Sequence, residues 1–256
     1  MKPGTLYLIP ATLGDLKSAS AASLIEWSLP ANVRQLAAGL ACFGAENAKS
    51  ARAFLKLVGT TSPIQSVDII EFGHQPQDAA LKPLVDKLLG GIDVGVLSEA
   101  GCPGVADPGA QLVRLAHAAA IRVVPLTGPS SILLALMGSG LNGQRFAFAG
   151  YAPVKSPLRE EFIRKLEARS AREHETQILI ETPYRNAALW QALLATLSEQ
   201  TRLTCAVALT LPQESIKTRS VKEWRLAPGG SLVGSASGDT ANKQPAVFLF
   251  LAGGPC

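Results

Sequence analysis

Glu46, Lys49 and Glu99 are candidates for handling a proton only because the loops that carry them should border a crevice, and the sequence names none of them as the base. Glu99 belongs to the run Ser98-Glu99-Ala100-Gly101-Cys102-Pro103-Gly104-Val105-Ala106-Asp107-Pro108-Gly109, which follows the hydrophobic stretch Val94-Gly95-Val96-Leu97. A strand that empties into glycines and prolines is how a parallel sheet presents a binding loop. Gly101, Gly104 and Gly109 open backbone angles closed to other residues and let a ligand approach the main chain, while Pro103 and Pro108 stiffen the loop ahead of a helix beginning near Ala110. The same residues also serve a purely structural turn between strand and helix.

Three further groups carry chemistry in the same double sense. Gly128-Pro129-Ser130-Ser131 precedes an apolar helix; its hydroxyls either cap that helix or join its N–H groups in facing a carboxylate. Glu181-Thr182-Pro183-Tyr184-Arg185 pairs an acid with a guanidinium, giving either an internal ion pair or a fixed anion contact at Arg185. Lys49 and Arg52, three apart, share one helix face, and Lys155, Arg159, Arg164 and Lys165 gather farther on; both sets are solvated surfaces or guides for a phosphate backbone. Much is excluded. The loop Ile9-Pro10-Ala11-Thr12-Leu13-Gly14-Asp15 is not a dinucleotide fingerprint, and the chain has no Walker-type phosphate loop and no nucleophile elbow. Cys42, Cys102, Cys205 and Cys256 are scattered and do not group with His74, His117 and His174 at ligand spacing, so neither a metal nor a disulfide framework is expected.

The elements that would position these residues alternate between short apolar runs and amphipathic stretches. Strands are expected at 6–9, 40–43, 69–72, 94–97 and 121–124, with helices at 50–58, 78–89 and 111–120 between several of them, which implies a mostly parallel sheet covered on both faces. Pro10 to Asp15 and Ser98 to Pro108 then open on the same side of that sheet. After Pro125 the texture changes, so domains are expected at 1–125 and 126–256. The second holds helices at 132–137, 158–168 and 186–197, strands at 145–149, 177–181, 203–209 and 246–251, and a Gly/Ser-rich hairpin at 227–244 between the last two. With 256 residues, 47% hydrophobic and 17% charged, the chain has ample material for two cores. The net charge of +4 is compatible with an RNA partner without requiring one. No secretory pattern opens the chain and no run is apolar enough to span a membrane, so a cytoplasmic protein without membrane contact is expected.

Taken in order, Leu6-Tyr7-Leu8-Ile9-Pro10 with Gly14, Ala45 to Lys49, Ser98 to Pro103 with Asp107-Pro108-Gly109, Arg122 to Pro125, Gly128 to Ser131, Ser139-Gly140-Leu141, Gly150-Tyr151-Ala152-Pro153 and Glu181 to Arg185 resemble the tetrapyrrole methylase superfamily across about residues 4 to 225. The likeness is greatest to its branch acting on small-subunit ribosomal RNA and to a shorter branch of unassigned substrate. The resemblance implies two α/β domains, a mostly parallel N-terminal sheet and a mixed C-terminal one, with S-adenosyl-L-methionine in a cleft between them. It also implies a homodimer without metal. The implied contacts are Pro10, Ser98, Glu99, Ala100, Gly101, Val105, Ser130 and Ser131 toward the methionine part, and Tyr151, Ala152, Pro153, Thr182, Leu209, Pro245 and Ala246 toward the adenosine. Lys49, Arg52, Lys155, Arg159 and Arg185 would face the acceptor, an RNA or ribosomal small subunit methylated at a ribose 2'-hydroxyl. The alternatives are a small-molecule methylase of tetrapyrrole type and a cofactor-binding sensor without turnover. The chain departs from the RNA branch at Glu46-Asn47-Ala48-Lys49, at Ser98-Glu99-Ala100-Gly101-Cys102-Pro103 and at Leu209-Thr210-Leu211-Pro212.

Overall fold

The computed structural model describes residues 2–14, 21–227 and 244–253. The chain divides into two compact units, residues 1–130 and 131–256, the division falling inside the Gly128-Pro129-Ser130-Ser131 segment.

In the first unit β1 (Thr5–Ile9), β2 (Cys42–Ala45), β3 (Asp68–Glu71), β4 (Val94–Leu97) and β5 (Arg122–Pro125) form a sheet in the order β3-β2-β4-β1-β5. Every pairing is parallel, with Leu6 opposite Val94 and Val123, and Phe43 opposite Gly95 and Ile69. The crossovers are α1 (Ala21–Ser28) and α2 (Ala31–Gly39), then α3 (Ala48–Val58), α4 (Asp78–Leu89) and α5 (Gly109–Ala118). Alternation along the strands sorts their side chains between two cores. Ile9 and Phe43 pack with Ile25, Val33, Phe54 and Leu55 of α1 to α3, whereas Leu6, Cys42, Val94 and Val96 pack with Leu81, Leu84, Leu88 and Leu112 of α4 and α5. The helices after β1 and β2 therefore leave by one face and those after β3 and β4 by the other.

Two expectations here need correction. The strand expected at 40–43 lies at Cys42–Ala45: Gly44 and Ala45, poor strand formers in isolation, are buried in the middle of the sheet, and Leu40 and Ala41 precede it. The helical pair α1 and α2 was not anticipated, although Pro30 marks the start of the second.

In the second unit β6 (Phe146–Gly150), β7 (Thr176–Glu181), β8 (Arg202–Val207), β9 (Ser215–Ser220) and β10 (Ala246–Leu251) give the order β6-β7-β10-β8-β9. β6 and β7 run parallel and the remaining pairs antiparallel, so the sheet is mixed. The helices α6 (Ser131–Ser139), α7 (Leu158–Glu173), α8 (Asn186–Thr196) and α9 (Val221–Leu226) complete it. The core is built on Trp190, edge-on to Trp224 at 5.0 Å and stacked on Phe248 at 6.1 Å. Burial leaves the Trp224 indole N–H needing an acceptor, and the Leu203 carbonyl supplies it at 2.8 Å. β9 and α9 stand in what was expected to be a direct passage from the 203–209 strand to the 227–244 hairpin, most of which lies outside the described residues. Ser220 and Glu223 form a reciprocal cap on α9, a Ser-x-x-Glu signal present in the sequence.

Candidate functional site

Strand order decides where a ligand can enter the first unit. β4 lies between β1 and β2, and the chain leaves β4 toward one face of the sheet but leaves both neighbours toward the other. Connections that diverge at the carboxyl ends of adjacent parallel strands leave a crevice between them. The loops bordering it carry Pro10 and Ala11, Glu46, and Ser98 to Pro108.

The loop after β4 is held by its own polar groups. Ser98 is 7% exposed and its hydroxyl donates to the Gly101 carbonyl at 2.6 Å, and the Gly101 N–H and carbonyl exchange hydrogen bonds with Ala11 at 3.2 and 2.9 Å. Ser98 thus builds the loop, and Gly101 ties it to the loop after β1. This bend places Gly101 at φ +73°, in the left-handed region that side chains avoid. Gly109 is needed differently: a Cβ there would lie 2.9 Å from Asp107 Oδ1, the oxygen that accepts from the N–H groups of Gly109 and Gly104 at 2.8 and 3.1 Å. Burial is the main force raising the Asp107 pKa, with the nearby Glu46 charge adding to it, against the pull of those two N–H groups and of His74. The Cys102 thiol donates to the Pro129 carbonyl at 3.4 Å, and burial pushes its pKa up. Glu99, Ala100 and Val105 are exposed.

On the other flank, Pro10 meets Gly128. A Cβ at position 128 would lie 2.3 Å from the Pro10 Cβ, so only glycine lets the segments after β1 and β5 close together. Gly128→Ala is expected to destabilise the first unit by about 1–3 kcal/mol through overpacking. It is also expected to weaken cofactor binding, because Pro10 must move; denaturant melts and calorimetry check the two effects separately.

At the end of β2, Asn47 caps α3 by accepting from the Lys49 and Ser50 N–H groups at 2.9 and 3.1 Å. Glu46 faces His74, its carboxylate 2.9 Å from the imidazole Nδ1. Sequence reading named Glu46 but missed His74 and Asp107, which lie 28 residues and more away along the chain and meet it only through the strand order. A small open depression lies nearby, walled by Ala11, Ala45, Ala51 and Phe54 and edged by Ser98 and Glu99. Lys49 and Arg52 are exposed on α3, and Lys56 extends their stripe by one turn.

In the second unit the expected residues collect at one end of the sheet, because β10 runs against β7 and β8. Ala246 is opposite both Glu181 and Val207, which brings Pro245 and Ala246 beside Thr182 and near Ala208 and Leu209. Tyr151, Ala152 and Pro153 follow β6 at the same end. Arg185 ties the cluster together: its guanidinium lies 2.7 Å from the Glu181 carboxylate and donates to the Ala152 carbonyl at 2.9 Å. The Glu181 side chain is 1% exposed and that of Arg185 25%, so the structure favours the internal ion pair over the anion contact. The Glu181 carboxylate also accepts from the Thr182 N–H and hydroxyl, leaving that hydroxyl occupied. Arg159 is likewise drawn inward, 18% exposed, donating to the Val154 carbonyl and lying 3.6 Å from Glu160; Lys155 is exposed. The Ser130 and Ser131 hydroxyls have no hydrogen-bond partner among the described residues.

Two buried polar atoms at this end lack partners among the described residues: Asn186 Oδ1, whose amide donates to the Gln244 carbonyl, and Thr210 Oγ1. Such atoms carry a desolvation cost that a polar ligand can relieve. Together with the buried apolar surface of Ala152, Leu209 and Ala246, they fit a heterocycle bearing donors and acceptors. Among the described residues no His, Cys, Asp and Glu side chains group to hold a metal ion, and no helix is long and apolar enough to cross a membrane.

The profile of the tetrapyrrole (corrin/porphyrin) methylases matches residues 31–224. The ribosomal RNA small subunit methyltransferase I of Haemophilus influenzae is 30% identical over 87% of this chain and 73% of its own length. The protein of the same name from Neisseria meningitidis is 31% identical over 97% of this chain and 77% of its own length. Among solved structures, that of the methyltransferase CobJ aligns over 99% of this chain and all of its own at a TM-score of 0.55 and 14% identity, a likeness of fold. The chain belongs to the tetrapyrrole methylase family, whose members take their methyl group from S-adenosylmethionine, and it is a methyltransferase of that class.

Proposed function

We propose that the enzyme methylates a ribose 2'-hydroxyl of RNA in the small ribosomal subunit. The observation that carries this reading is 30–31% identity, over 87–97% of the chain, to relatives named for small-subunit ribosomal RNA. The exposed stripe of Lys49, Arg52 and Lys56 supports it, since cations on one helix face suit a phosphate backbone.

S-adenosylmethionine, when bound, supplies a methyl group on a positively charged sulfur. The chain's task is then to hold donor and acceptor about 3 Å apart and to keep water out. Pro10, Ser98, Glu99, Ala100, Gly101 and Val105, with Ser130 and Ser131, would hold the methionine part; Glu99 is the one acid of that set and suits its positive charges. Tyr151, Ala152, Pro153, Thr182, Leu209, Pro245 and Ala246 would hold the adenosine. Arg185 does not touch the acceptor in this reading; it fixes the loops that do the holding. The enzyme works in the cytoplasm, and as a homodimer, the latter being what the family resemblance implies.

Calorimetry is expected to find one S-adenosylhomocysteine site per chain, and RNA binding is expected to weaken as salt rises. The double reversal Lys49→Glu with Arg52→Glu should weaken RNA binding more than about tenfold and lower the salt slope by about two. Cofactor affinity should stay within twofold. Salt-independent RNA affinity in the wild type, or full RNA affinity in the variant, contradicts the assignment of this face.

A further inference from the structure

Ribose methylation requires the hydroxyl to lose its proton, which Lys49, a candidate from the sequence, cannot take up while it carries its own charge. Glu46 and His74 form a graded pair at the carboxyl ends of β2 and β3. The carboxylate is recessed, with a side chain 23% exposed, and the imidazole stands outside it at 79%. The 2.9 Å contact is made at Nδ1, and the second ring nitrogen, Nε2, has no hydrogen-bond partner among the described residues. A carboxylate accepting from one imidazole nitrogen fixes the tautomer whose other nitrogen is the acceptor. Ala45, which precedes Glu46, walls the pocket at the ends of β2 and β4. Asp107 interacts electrostatically with both members of the pair, so an imidazolium formed there is flanked by two acidic groups. Between the two candidate proton acceptors, the imidazole is the stronger base near neutral pH, and the carboxylate is already engaged.

We propose that His74 is the base of the methyl-transfer step and Glu46 its positioning residue. The inference rests on the reading of a ribose hydroxyl as acceptor. In the step, the hydroxyl proton passes to His74 Nε2 as the oxygen forms its bond to the methyl carbon. The carbon–sulfur bond breaks with its electron pair going to sulfur, giving a neutral thioether, and the imidazolium returns its proton to water.

The test uses the full chain and small ribosomal subunits lacking the modification. His74→Gln is expected to lower kcat by about 10²–10⁴-fold and to abolish the acid limb of the pH–rate profile. Affinities for S-adenosylhomocysteine and RNA should stay within twofold. Glu46→Ala should lower kcat less, by about tenfold. Nitrogen-15 spectra, which need no turnover, should show the Nδ1–H tautomer of His74 in the wild type and its loss in Glu46→Ala. A His74→Gln enzyme within threefold of wild-type kcat that keeps the acid limb overturns the proposal while leaving RNA methylation standing, as does an unchanged tautomer in Glu46→Ala. A wild type that does not methylate RNA overturns both.

Discussion

Arg185→Met is expected to cost the protein about 3 kcal/mol of stability and to weaken S-adenosylhomocysteine binding along with it. The reason is the partner left behind. Glu181, with a side chain 1% exposed, keeps its hydrogen bonds from the Thr182 N–H and hydroxyl but loses its only ion pair among the described residues. Breaking a buried pair from one side costs about 3–5 kcal/mol. The surviving bonds to Thr182 and the partial exposure of Arg185 put this case at the lower end. The Ala152 carbonyl loses its guanidinium donor as well, which frees the segment after β6 that is proposed to meet the adenosine. Adding Glu181→Leu to Arg185→Met should restore most of the stability, because it removes the stranded charge. Denaturant melts of the wild type, the two single variants and the double variant measure this. A loss below 1 kcal/mol in Arg185→Met would mean that the pair does not hold the sheet end together.

Gly101→Val should eliminate detectable S-adenosylhomocysteine binding, with affinity reduced at least about a hundredfold. Space is not the cause. A Cβ at this position would lie 3.4 Å from Leu13 Cδ2 and 3.6 Å from the Pro129 carbonyl, both ordinary contacts. Backbone conformation is the cause: φ is +73°, where a β-branched residue is strongly disfavoured. Relaxing that strain breaks the reciprocal bonds to Ala11 and so moves both crevice loops at once. Asparagine tolerates the left-handed region, so Gly101→Asn should keep far more affinity than Gly101→Val. Equal calorimetric affinities for Gly101→Val and the wild type would show that the loop does not bear on the cofactor.

The parallel sheet was legible because its strands are apolar runs set off by helical periodicity, and the carboxyl-end loops followed from that alternation. Gly44 and Ala45 were misplaced because burial, not propensity, makes them strand. β9 escaped notice for the opposite reason: Ser215–Ser220 is a polar edge strand whose exposed Lys217 and Arg219 give it no hydrophobic run. The site was legible in its loops and less so in its side chains. Ser98 and Arg185 stand where the sequence placed them, yet their polar groups are spent on Gly101, Glu181 and Ala152. His74 could not be found from spacing, since its partner lies at the end of a neighbouring strand. What pointed to that end of β2 was the Ala45 to Lys49 block of the family resemblance; that Asn47 caps α3 is a finding of the structure.

The account's central claim is tested most directly by transfer of an isotopically labelled methyl group from S-adenosylmethionine. Three acceptor pools are offered separately to the purified protein: small ribosomal subunits lacking the modification, total deproteinised RNA, and a small-molecule extract. The expected result is label in the small-subunit RNA, recovered after nuclease digestion as a single 2'-O-methylated nucleoside and absent with Gly101→Val. Label confined to the small-molecule extract, or protein that binds S-adenosylmethionine and labels no pool, would contradict it.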